Sequence, residues 1–198
     1  NKVNSGTTSS DGTILFEKLK PGTYYIKETA VATGYLIDEN VKTVSVNAGE
    51  TASVEFKNNE PTGEIYIYKV NDNGDPVGNA EFTVKASEKI TNVAGTKTYF
   101  NKGDVVATII SDTKTGIASI KELPMGQYTV QESKAPTGYL LNNKIYNAKL
   151  EFINNKTPIV ELKIEGVIND EPTGTITIVK KDSETGSVAQ GDASLENA

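Results

Sequence analysis

Three residue types recur at matched places along this chain, and together they have the makings of a covalent bond. Strand side chains alternate, so residues two apart share a face. Ile65 and Ile67 define an inward face that Lys69 continues, and Ile176, Ile178 and Lys180 repeat the pattern. Tyr24, Ile26 and Glu28 end the same kind of run in an acid, as do Tyr128, Val130 and Glu132. Val54, Phe56 and Asn58 end one in an amide. One reading lets each polar residue sit at a strand end and face water. The other turns all of them inward, where an unpaired Lys, Glu or Asn costs several kcal/mol. Recurrence of the same types at matched places favours the inward reading.

Burial in apolar surroundings lowers a lysine pKa and raises a carboxyl pKa. A neutral amine facing a side-chain amide can attack its carbonyl carbon, and a protonated acid beside them can polarise that carbonyl and pass protons to departing ammonia. The product is an intramolecular Lys–Asn isopeptide bond. Fixed geometry supplies the effective concentration. The reaction runs once per domain, so the chain is expected not to be an enzyme in the turnover sense.

The elements that must position these residues repeat along the chain. Asn58-Asn59-Glu60-Pro61-Thr62-Gly63 matches Asn169-Asp170-Glu171-Pro172-Thr173-Gly174. Glu64 to Lys69 matches Thr175 to Lys180, and Gly22 to Glu28 matches Gly126 to Glu132, each of the latter running on to a Gly-Tyr pair. The period is roughly 110 residues, the size of a sandwich domain. The Glu-Pro-Thr-Gly segments read as linkers, because Pro lacks a donor and Gly ends a strand. Residues 1–60 are expected to be a partial β-sandwich domain lacking its first strand, 61–171 a complete one, and 172–198 the first strand or strands of a third. The chain is expected to be an excised piece of a longer array. Short alternating stretches over Glu64–Val70, Ala80–Lys85, Val105–Ile110, Gly126–Glu132, Lys144–Phe152 and Ile159–Ile164, separated by turn signals, predict an all-β fold.

The run from Tyr128 to Tyr139, with Glu132, Ala135, Pro136 and Gly138 between, resembles the E-box of collagen-adhesin B-type (CnaB-like, SpaA-type pilin) domains of Gram-positive surface proteins. Tyr24 to Tyr35 is similar, with Ala32 where Pro is usual, a departure expected to alter a loop rather than the acid. The resemblance implies tandem immunoglobulin-like sandwiches, a mechanical role and autocatalytic isopeptide bonds. Carried over by position, it makes Lys69 the nucleophile, Glu132 the proton relay and Asn169 the acceptor. Glu28 and Asn58 are the matching pair of the first unit, whose lysine is expected upstream. Lys180 is the counterpart in the third unit, and Lys181 is the other candidate there. Asn154 rivals Asn169, because Glu151 to Asn155 echoes Glu55 to Asn59. Val160, Leu162 and Ile164 share a parity that Asn169 does not, and a bulge at Gly166 would reset it. Asn154 to Pro158 reads instead as a turn.

Composition narrows the function classes. The 198 residues include no Cys and no His, so disulfides, thiolate metal sites, cysteine nucleophiles and a Ser-His-Asp triad are excluded. A net charge of −6 argues against nucleic acid. No apolar run is long enough to span a bilayer. Asp72, Gly74 and Asp75 lack the spacing of a calcium loop, and no cofactor or metal is expected. Leu123-Pro124-Met125-Gly126 lacks the Thr of a sortase signal and reads as a turn. The expected role is a structural stalk or spacer of an extracellular, cell-wall-anchored adhesin or pilus-type protein. Its partners would be neighbouring domains of the same protein, with host protein or glycan met through other domains. The alternative is a β-sandwich module that itself grips a host protein or glycan, with the Ser87–Asp104 insert as its candidate surface.

Overall fold

A computed structural model describes residues 4–181. Among them every regular element is a strand: β1 (Gly22–Lys27), β2 (Val41–Val46), β3 (Thr62–Lys69), β4 (Glu81–Ala86), β5 (Ile90–Thr91), β6 (Thr98–Phe100), β7 (Val105–Ile110), β8 (Ile117–Leu123), β9 (Gly126–Lys134), β10 (Ile145–Leu150) and β11 (Ile159–Val167). From β3 to β11 the chain forms two sheets, one ordered β10-β9-β4-β7 and the other β11-β3-β8. Only the β11–β3 pair is parallel, so the first and last strands of this unit lie side by side.

The alternation expected of half-buried strands is what closes the sandwich. Ile65, Ile67, Phe82, Val84, Tyr128, Val130, Ala148 and Leu150 turn inward from both sheets and are fully or almost fully buried. Each large apolar side chain among them contributes about 1.5–3 kcal/mol. Tyr128 keeps its hydroxyl satisfied by donating to Pro124 O at 2.8 Å. Gly63 packs closely against the other sheet, where an added Cβ would lie 2.3 Å from Leu150 Cδ1 and force that side chain to shift.

The first unit holds only β1 and β2 among its described residues. Their register, Gly22 opposite Val46, is that of β9 and β10, where Gly126 faces Leu150. The expected last strand through Val54, Phe56 and Asn58 is absent. Its counterpart β11 is held by ladder bonds to β3, and residues 54–58 have no such neighbour strand. Residues 172–181 likewise carry no strand, and Ile176 and Ile178 are about nine-tenths exposed, at 90% and 89%. The rest of the expected third unit lies outside the described residues.

Two strands that alternation did not suggest, β2 and β8, are plain parts of the fold. The Ser87–Asp104 insert forms the β5–β6 hairpin, whose Ile90 is buried and whose Tyr99 and Phe100 pack on the core. Its tip reaches the first unit: Val93 N donates to Glu60 Oε1 at 2.9 Å. The Asn154–Pro158 turn reaches it from another side, with Ile37 N donating to Asn155 O at 3.0 Å and Lys156 Nζ 2.6 Å from Glu39 Oε1.

Candidate functional site

The inner face of β3 ends in Lys69, which is 0% exposed. It is buried because it continues the parity of Ile65 and Ile67 while the strand is still flanked on both sides. Desolvation holds its pKa below the ordinary value of 10.5, opposed by the nearby charges of Glu132 and Asp72. Its Nζ donates to Val70 O at 2.9 Å and lies 5.6 Å from the centre of the Tyr139 ring.

Glu132 sits on β9 two residues past Val130 and is 3% exposed. Asn169 follows β11. Pairing runs in step from Ile159 to Ile164, then slips so that Val167 comes opposite Lys69. The slip is a bulge at Gly166, whose φ of 65° is a left-handed conformation that glycine adopts without strain. Beyond it Val167 is fully buried and Asn169 is 3% exposed. The backbone therefore brings Lys69, Glu132 and Asn169 to one end of the same core. Asn154 lies in an exposed turn, its Oδ1 accepting from Lys156 N at 2.8 Å.

Asn169 Nδ2 donates to Glu132 Oε2 at 2.5 Å and to Leu140 O at 2.6 Å. Glu132 Oε2 also accepts from Asn142 N at 2.8 Å. The remaining oxygens, Glu132 Oε1 and Asn169 Oδ1, are buried with no hydrogen-bond partner. Native interiors seldom leave such acceptors orphaned.

The same hydrogen bonds recur in the first unit. Asn58 Nδ2 donates to Glu28 Oε2 at 2.6 Å and to Leu36 O at 3.0 Å, and Asp38 N donates to Glu28 Oε2 at 2.8 Å. Glu28 and Asn58 are only half-buried, and no lysine stands opposite them among the described residues. Lys180 and Lys181 are exposed and meet neither acid nor amide of this kind. Sequence reasoning passed over Asn142 and the backbone of Leu140. The spacing from Glu28 to Glu132 equals that from Leu36 to Leu140 and from Asp38 to Asn142, and this was the available signal. From Asn58 to Asn169 it is seven residues longer, an excess that falls in the stretch holding the Asn154–Pro158 turn.

A family model described as a SpaA prealbumin-like fold domain matches residues 1–60 and again 63–166. The chain belongs to this family. Among solved structures, the SpaA-type chain is similar to the Bacillus anthracis TIE protein at 30% identity and a TM-score of 0.58, over 79% of this chain and 27% of that one. It is also similar to BcpA, the major pilin subunit of Bacillus cereus, at 26% identity and a TM-score of 0.39, over 67% of this chain and 37% of that one. The full-length major pilin SpaD from Corynebacterium diphtheriae matches at 19% identity and a TM-score of 0.38, over 56% of this chain and 30% of that one. The SpaA-type chain thus spans about a quarter to two fifths of the length of these relatives. Among curated proteins none matches it.

Proposed function

We propose that this chain is a structural stalk or spacer segment of a Gram-positive cell-surface adhesin or pilus-type protein, with unit 61–171 locked by a Lys69–Asn169 isopeptide bond. In this reading the neutral Lys69 amine attacks Cγ of Asn169. Glu132 takes a proton from Nζ and delivers one to Nδ2. The bond from Cγ to Nζ forms, the bond from Cγ to Nδ2 breaks, ammonia leaves, and Glu132 ends as it began. The observation that carries the reading is the 2.5 Å contact between Glu132 Oε2 and Asn169 Nδ2, the nitrogen that must depart, in a core that also buries Lys69. Membership of the SpaA family and the likeness to proteins named as pilins support the mechanical role. The stalk reading is preferred to a host-ligand or glycan module because the insert hairpin already touches the first unit through Val93 and Glu60. Placement outside the cell, anchored to the wall, follows from the same reading.

The intact mass of the full chain tests it. The wild type is expected to be lighter than its calculated mass by one ammonia, and Lys69→Ala and Glu132→Gln to restore the full mass. A folded wild-type chain of unmodified mass would sink the proposal. Retention of the deficit in Asn169→Ala, with its loss in Asn154→Ala, would move the acceptor.

A further inference from the structure

Asn142 joins the two halves of the site. Its backbone N donates to Glu132 Oε2 at 2.8 Å. Its side-chain Nδ2 donates to Ile168 O at 2.8 Å, the carbonyl that directly precedes Asn169, and to Tyr146 Oη at 3.3 Å. Its Oδ1 accepts from Lys144 N at 2.9 Å, closing the turn that leads into β10. Asn142 thus ties the acid on β9 to the segment beyond the β11 bulge, beside Leu140, whose N donates to Asp170 O at 2.8 Å and whose O accepts from Asn169 Nδ2. That segment has left the ladder, since pairing to β3 ends at Val167.

The first unit shows what happens when this donor is missing. Asp38 occupies the matching place, and its N makes the same bond to Glu28 Oε2. Its Oδ1 accepts from Asn40 N at 3.1 Å, as Asn142 Oδ1 accepts from Lys144 N, and its other oxygen pairs with Lys42 Nζ at 3.1 Å. An ionised carboxylate is an acceptor only, so Asp38 cannot hold the carbonyl before Asn58. The turn and the acid-binding N–H survive an Asp at this place, whereas the side-chain tie to the carbonyl before the amide does not. The backbone tie does survive, Leu36 N donating to Asn59 O at 2.7 Å as Leu140 N donates to Asp170 O at 2.8 Å.

We infer that Asn142 is a positioning residue of the Lys69–Glu132–Asn169 set, holding the Asn169 carbonyl carbon in line with the acid through the bond to Ile168 O. The inference rests on the bond-forming reading above and adds a residue that touches none of the reacting atoms with its side chain. Reaction within a fixed fold falls steeply when the reacting atoms are displaced, so the loss of one tether slows the bond without abolishing it. Asn142→Asp keeps the turn and the backbone bond to Glu132 and removes the side-chain donations to Ile168 O and Tyr146 Oη. Asn142→Ala removes both donations without adding charge, and with them the bond that Oδ1 accepts from Lys144 N.

The test is the rate of ammonia loss by the full chain after pulsed cell-free synthesis, followed by intact mass. Both variants are expected to react roughly three- to tenfold more slowly than wild type, the worth of one hydrogen bond, and still to reach completion. Each is also made in the unlinked Glu132→Gln chain, where melting reports the fold alone. A change of no more than a few degrees is expected there. Wild-type rates in both variants would overturn the inference while leaving the bond intact. Slowing confined to Asn142→Asp would trace the effect to added charge and overturn it too. Failure of either variant to fold in the Glu132→Gln chain would make Asn142 a structural residue. A wild-type chain that never loses ammonia would instead sink the underlying reading and this inference with it.

Discussion

Lys69 is a fully buried amine at the end of an apolar run, and its environment gives it a pH signature. Its folded pKa lies below 10.5 because burial disfavours the charge. Between the folded and unfolded values the unfolded chain binds more protons, so stability rises with pH across that window. Below the folded value the full cost of keeping a charged amine in the core is present. In the unlinked Glu132→Gln chain, stability is therefore expected to climb as pH approaches 10.5. The double variant with Lys69→Ala should lack that part of the slope. Denaturant titrations of both chains at a series of pH values measure the difference. Parallel profiles would show that Lys69 is not a burdened amine, and its reactivity would need another cause. If the proposed bond forms, the amine becomes an amide that no longer titrates, and the wild type should then not show the slope either.

At the scale of the element, the last strand delivers its amide inward because of one left-handed residue. The side-chain parity of Val160, Leu162 and Ile164 would otherwise point Asn169 to water. Gly166 has open space around an added Cβ, so a substitution there meets no clash and suffers only from its φ of 65°. A non-glycine residue in that conformation costs about 1–2 kcal/mol. Gly166→Val, whose branched side chain resists this conformation most, is expected to destabilise the unlinked chain by about that amount. It should also leave a measurable unreacted fraction of an otherwise wild-type chain by intact mass. Full reaction at the wild-type rate would show that the bulge is not what presents Asn169.

For the molecule as a whole, the parallel pairing of β3 with β11 sets the direction of load. The unit is entered at Thr62, opposite Ile159, and left beyond Val167, opposite Lys69. Tension on the two ends therefore shears these strands, and a Lys69–Asn169 bond would carry it through β3 alone. Such a bond closes nearly the whole unit into one loop. By analogy with a disulfide over ~100 residues, chain entropy contributes up to about 4–5 kcal/mol. Lys69→Ala is expected to melt well below wild type, lose protease resistance and extend under force. Equal melting temperatures would remove that purpose. The joint between the units makes a separate prediction. A Cβ at Gly34 would lie 2.8 Å from Val93 Cγ2 on the hairpin tip. Gly34→Ala should broaden the distance distribution between spin labels placed on β2 and β7. Lys156→Ala should change it little, because the Lys156–Glu39 pair is exposed. An unchanged distribution in Gly34→Ala would show that the hairpin does not set the joint.

Much of this protein is legible in local pattern. Alternation over Ile65, Ile67 and Lys69, and over Tyr128, Val130 and Glu132, marks inward faces because a strand has a period of two and one face is buried. Matched linkers and E-box-like runs mark the repeat because each unit must rebuild the same sandwich. Other features depend on partners far away in the chain. Strand β8 carries too little alternation to declare itself and is held by its ladder to β3. The stretch from Val54 to Asn58 has a strand's pattern but no strand beside it, and the pattern alone does not make one. The choice between Asn154 and Asn169 as the buried amide was open in the sequence, because either echoes Asn58. Tertiary structure buries Asn169, through a bulge that only the pairing of β11 with β3 reveals, and leaves Asn154 in water. Residue type and period are local properties, whereas burial and register belong to the pairing of distant strands.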